Sequence, residues 1–78
     1  MNKREAQNLS DEVVLLLKQE RIKQGITPYR LAKDTGLSKN SVLNIERLSQ
    51  KPALYTLMII ANYLDVSLGK VISEIENK

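Results

Sequence analysis

Residues 38–44 read Ser-Lys-Asn-Ser-Val-Leu-Asn, and most of their side chains can hydrogen bond outward. Lys39 carries three N–H donors on a cation, Asn40 and Asn44 each hold a donor beside an acceptor, and Ser41 adds a hydroxyl. In a helix Lys39, Asn40 and Asn44 share one outer face with Leu43, and Ser41 stands at its edge. Such a group can recognise a partner, but it is poorly equipped for catalysis. The chain has no histidine and no cysteine. It therefore lacks the commonest general base, a thiolate nucleophile and the commonest nitrogen and sulfur metal ligands. No cluster of carboxylates, lysines or hydroxyls replaces them. The sequence reads as a binding protein, not an enzyme, with no cofactor and no metal.

These polar residues need a scaffold, and the pattern around them is helical throughout. There is no alternating strand pattern and no Asn-Gly or Asp-Gly hairpin. Ser10, followed by Asp11 and Glu12, predicts a first helix over residues 10–24, closed by Gly25. Residues 1–9 are expected to form a flexible arm and residues 10–76 a single domain. Thr27-Pro28 starts a second helix, with a hydroxyl cap and proline at its first position. Gly36 ends that helix, because glycine tolerates the positive φ of a sharp turn. Ser38 caps a third helix reaching about Arg47. A loop over residues 48–52 leads to a fourth helix over about 53–64. Asp65-Val66 turns the chain, and Ser67 caps a fifth helix ending near Ile75 or Glu76.

The break at Thr35-Gly36-Leu37-Ser38 has a physical reason. Small Ala32 lets helices two and three cross closely, and Gly36 makes the turn. Val42 and Ile45 face inward, opposite Leu31 and Leu37. The expected fold is all-α, with five helices and a helix-turn-helix at helices two and three.

Charge marks the same stretch. The chain has 78 residues and a net charge of +3. Residues 18–51 hold eight basic and three acidic residues, a local charge of +5. A basic segment within a folded domain points to a polyanion partner. The longest apolar runs, residues 13–17 and 57–61, have five residues each, far short of the ~20 of a membrane span. No signal-peptide core follows the start, so the expected location is cytoplasmic, with no membrane partner.

The motifs together resemble the Xre/Cro-type family of phage and bacterial repressors. The resemblance spans about residues 16–72 and rests on Arg21, on "GITPYRLAKDTGLSKNSVLNIE" and on "PALYTLMIIANYLDVSLGKVI". It implies a lambda-repressor-like DNA-binding domain that grips operator DNA as a homodimer, with helix three in the major groove. Carried onto this chain, the base-contacting residues are Lys39, Asn40 and Asn44, with Ser41 beside them. Lysine can donate to guanine O6 and N7, and asparagine can pair with adenine N6 and N7.

Phosphate contacts are expected at helix N-termini, here Ser38 and Thr27. Gln50 and Lys51 match the family's other backbone-contact region, and Arg30 and Lys33 on helix two lie within reach of phosphate. Arg21 and Glu46 match a family pair that forms a partly buried salt bridge between helices one and three. Four positions depart from the family pattern. Pro28 replaces a glutamine that contacts the backbone. Leu48 stands where glycine is favoured, which predicts a remodelled end to helix three. Glu20 replaces an apolar residue, and Gly69 falls in the first turn of helix five.

Helix four is apolar on more than one side. Leu54, Leu57, Met58, Ala61 and Leu64 form its expected core stripe. Tyr55, Ile59 and Tyr63 then form a second stripe, expected to build a homodimer interface with Ile75. Helix five or the apolar start of helix one could cover that stripe instead. Two roles compete on these grounds. One is a transcription regulator on a palindromic operator; the other is an antitoxin-type or similar protein-interaction module built on the same fold.

Overall fold

The computed structural model describes residues 1–77. Within them the chain forms five helices, α1 (Lys3–Lys23), α2 (Pro28–Thr35), α3 (Lys39–Glu46), α4 (Leu54–Tyr63) and α5 (Leu68–Glu76). Four of the starts follow from a side-chain cap. Asn2, Thr27, Ser38 and Ser67 each accept the N–H three residues on, which satisfies a donor that the helix itself leaves free. α4 starts at Leu54 after Ala53, which gives no side-chain cap. Its apolar residues hold it through packing instead.

Three helices end alike. Gly25, Leu48 and Asp65 take positive φ values of 73°, 63° and 58°. In each case the next N–H reaches back to a carbonyl five residues earlier: Ile26 to Arg21, Ser49 to Asn44 and Val66 to Ala61. This is the Schellman arrangement, which occupies carbonyls left free at a helix end.

Leu48 therefore corrects the expectation of a remodelled helix end. The Schellman turn forms although leucine stands at the position of positive φ. The left-handed conformation costs roughly 1–2 kcal/mol for a residue with a Cβ. Bonds from the Leu48 and Ser49 N–H groups and from Ser49 Oγ to the Ile45 and Asn44 carbonyls offset it.

The core gathers Val13, Leu17, Leu31, Ala32, Val42, Ile60, Ala61, Leu64 and Ile75, with Leu31 wholly buried. Every helix contributes to it. α2 packs on α3 and α4, while α1 packs on α3, α4 and α5.

Two features of α1 and α5 differ from the sequence reading. The helix starts at Lys3 under an Asn2 cap, not at Ser10, so residues 3–9 continue α1 instead of forming an arm. Leu9 on this extension packs against the core, and Leu9 and Ile75 border one shallow groove. Ile75 is buried there, with 9% exposure. It belongs to the core and not to an exposed patch.

The core stripe of α4 is also rotated. Leu57 is half-buried and Ile60, Ala61 and Leu64 are buried, but Leu54 and Met58 are 63% and 56% exposed. Tyr55 is exposed too, whereas Ile59 and Tyr63 are half-buried. Nearly every residue of α4 is apolar, so its periodicity did not single out one inward face. α1, α2 and α5 packing around it chose that face.

Glu20, which departs from the expected apolar residue, accepts a hydrogen bond from Gln24 Nε2 at 2.9 Å. The same amide nitrogen donates to the Leu64 carbonyl at 2.7 Å, tying the end of α1 to the end of α4. No single helix among the described residues is long and apolar enough to cross a membrane.

Candidate nucleic-acid interface

The turn between α2 and α3 is held by short-range bonds. Gly36 has φ of 82°, and its N–H donates to the Ala32 carbonyl. A Cβ built on it would meet nothing within 4 Å, so the backbone angle, not lack of space, calls for glycine. Thr35 Oγ1 donates to the Leu31 carbonyl at 2.7 Å and accepts the Leu37 N–H at 3.3 Å. Ser38 then caps α3, accepting the Ser41 N–H at 3.0 Å.

A side-chain clamp holds α3 against the rest of the fold. Arg21 donates from Nε and Nη2 to the two carboxylate oxygens of Glu46, at 2.7 and 2.9 Å. Its Nη1 donates to the Ile26 carbonyl at 2.6 Å. The two side chains are only 9% and 13% exposed. A fork-on-fork pair of this kind sets direction as well as distance. It links the end of α1 to the last residue of α3.

The start of α3 stands clear of the core. Lys39 and Asn40 are exposed, and Ser41 and Asn44 are half-buried. Among the described residues, the side-chain amides of Asn40 and Asn44 have no hydrogen-bond partner. Ser41 differs, since its Oγ accepts from Ser38 Oγ at 2.8 Å, and its hydroxyl is partly committed to the cap. The ammonium of Lys39 lies 5.9 Å from the centre of the Tyr29 ring.

The expected phosphate contacts are spread around this face. Thr27 accepts the Arg30 N–H at 3.1 Å, as an N-cap. Arg30 is exposed and its Nε lies 3.6 Å from Asp34 Oδ2, one turn along α2. Tyr63 Oη donates to the same carboxylate oxygen at 2.5 Å, which ties α4 to α2. The bond to Asp34, then burial, raise the Tyr63 pKa above its usual value. Gln50 is exposed, and its N–H donates to the Asn44 carbonyl. Lys51 pairs with Asp11 on α1 at 2.9 Å.

Two residues on or beside this face were not anticipated. Asp11 could not be linked to Lys51 from sequence, because the two stand forty residues apart. Tyr29 left a weak signal: a large apolar ring outside the Leu31–Ala32 core positions. Among the described residues no three acidic side chains converge as a metal site would require.

A family model described as helix-turn-helix matches residues 17–71. The match runs from the second half of α1 into α5 and contains the clamp, the turn and the whole of α3. The chain belongs to the Xre-type, lambda-repressor-like helix-turn-helix family. No curated protein matches it, and no solved structure does. Membership makes this helix-turn-helix protein a DNA-binding domain, in a family that is not typically enzymatic. The clamp and the Gly36 turn are thus parts of a scaffold that presents α3.

Proposed function

We propose that this helix-turn-helix protein is a cytoplasmic, sequence-specific transcription regulator. It binds a two-fold symmetric operator as a homodimer, with α3 of each copy in the major groove. One observation carries the reading: the unpartnered amides of exposed Asn40 and half-buried Asn44 and the ammonium of exposed Lys39 lie along one helix, α3, inside the +5 segment. These side chains read base edges, with Ser41 at the margin. Ser38 and Thr27 bring helix N-termini to phosphates, and Arg30, Gln50 and Lys51 approach the backbone from either side. The direct test is selection from a randomised duplex pool with the purified protein. Enrichment of one motif, in two inverted copies about one helical turn apart, is the expected result. A pool that stays random overturns sequence-specific binding.

Lys51 carries a separate expectation. Its ion pair with Asp11 is partly exposed, with side-chain exposures of 52% and 27%. Such pairs are worth at most about 1 kcal/mol, so a phosphate can take Asp11's place. Lys51→Ala should weaken binding to all duplexes about equally and reduce the salt slope by about one unit. Asp11→Asn should act in the opposite direction, tightening operator and random DNA alike by up to about fivefold. Fluorescence anisotropy across a salt series measures both. An unchanged slope in Lys51→Ala removes Lys51 from the phosphate contacts.

The dimer rests on the outer face of α4, where Leu54, Tyr55 and Met58 are 63%, 74% and 56% exposed. Ile59 and Tyr63 border that face, and Tyr63 is already engaged with Asp34. Three large apolar side chains together on one short helix exceed scattered exposure. Light scattering should give a dimer at tens of micromolar and a monomer for Tyr55→Glu with Met58→Lys. Both changes fall on exposed positions, so the fold survives them. A monomeric wild type, or a double variant that still dimerises, excludes this interface. A monomeric wild type would also favour the second reading, in which the same face seats a different protein, as in an antitoxin.

A further inference from the structure

Neither the core nor the reading above accounts for Tyr29. It is the second residue of α2, is 61% exposed and leaves the core positions to Leu31 and Ala32. Its backbone is unusually well pinned. Thr27 caps the helix just before it and Pro28 sits at the first helical position, where the ring fixes φ. The backbone that carries the aromatic ring is therefore fixed by a rigid turn, while the ring itself stands in solvent.

One group meets it. Lys39, the first residue of α3, places its ammonium 5.9 Å from the ring centre. That lies within the range at which a cation is drawn to an aromatic face. A lysine is otherwise a flexible point charge that can satisfy phosphates or base acceptors along much of its reach.

We propose that Tyr29 is a specificity-determining positioning residue, whose ring pre-orders the Lys39 ammonium for one base step. The inference rests on the proposal that α3 reads bases, and it adds a residue from α2 to the reader. The ring does the positioning, so the phenolic hydroxyl is dispensable. Removing the ring frees Lys39 to reach phosphates and neighbouring bases. Total affinity then changes little while discrimination at one base pair is lost.

The test combines a spectrum of the free protein with binding to selected DNA. In the free wild type and in Tyr29→Phe, the ε-methylene protons of Lys39 should be shifted upfield by the ring current. In Tyr29→Leu they should return to ordinary lysine positions. On DNA, Tyr29→Leu should reduce discrimination at one base pair about three- to fivefold. Tyr29→Phe should keep it. In a Lys39→Ala background, Tyr29→Leu should have no further effect. Unshifted Lys39 protons in the wild type overturn the inference without touching the base-reading proposal. Losses that add in the double variant overturn it too, because Tyr29 would then contact DNA by itself. A wild type with no sequence preference, whatever its spectrum, overturns both.

Discussion

Replacing Arg21 by methionine is expected to destabilise the fold by roughly 2–4 kcal/mol. Breaking a fully buried ion pair from one side costs about 3–5 kcal/mol. The clamp lies slightly closer to solvent, with Glu46 13% exposed. Methionine would strand the Glu46 carboxylate, which accepts two bonds from Arg21, and leave the Ile26 carbonyl without its Nη1 donor. For a domain of this size, 1 kcal/mol moves the melting temperature by about 4–8 °C. The expected fall is therefore on the order of 10–30 °C. Glu46→Gln should cost less, because the amide oxygen still accepts one of the two bonds. The two changes act on one interaction, so Arg21→Met with Glu46→Gln should be less damaged than the sum of the singles. Thermal melts followed by circular dichroism provide the cycle. Strict additivity would show that the pair contributes no coupling. Glu46 is the last residue of α3, so Arg21→Met should also weaken DNA binding at temperatures where the protein is still folded.

The second large effect falls on α3 itself. Asn44→Ala and Lys39→Ala should each lose about 1–3 kcal/mol of discrimination between the selected operator and random DNA, the value of one good bidentate base contact. Neither change should alter the melting temperature much. Asn44 supports the helix end through its backbone carbonyl, which accepts from the Ser49 and Gln50 N–H groups and from Ser49 Oγ. Alanine leaves that acceptor in place and deletes only the free amide. Ser41→Ala offers the contrast. Ser41 Oγ accepts from the Ser38 hydroxyl, so its loss should touch the cap more than the reading. Competition binding against random duplex separates these outcomes. If Lys39, Asn40 and Asn44 can all become alanine with operator preference intact, α3 is not the reader.

What sequence alone determined is the local part of this protein. Thr27-Pro28, Gly36, Ser38 and Ser67 act on N–H groups and backbone angles within a few residues, and they set the starts of α2, α3 and α5 and the end of α2. The five-helix order and the turn before α3 follow from the same signals. Family motifs supplied the rest of what could be read, including the Arg21–Glu46 pair. Tertiary packing decided the remainder. Ser10, Asp11 and Glu12 form a sound cap signal, yet α1 runs through them from Asn2, with Leu9 packed on the core shared with Ile75. A cap preference worth about 1 kcal/mol does not prevail against burial of apolar surface at ~25 cal/mol per Å². On α4, apolar residues on most sides left two possible core faces, and the neighbouring helices buried Ile60 and exposed Leu54 and Met58. The same limit applies to Lys51 with Asp11 and to Lys39 with Tyr29. Each pair joins side chains on different elements, and only the packed arrangement of those elements brings them within reach.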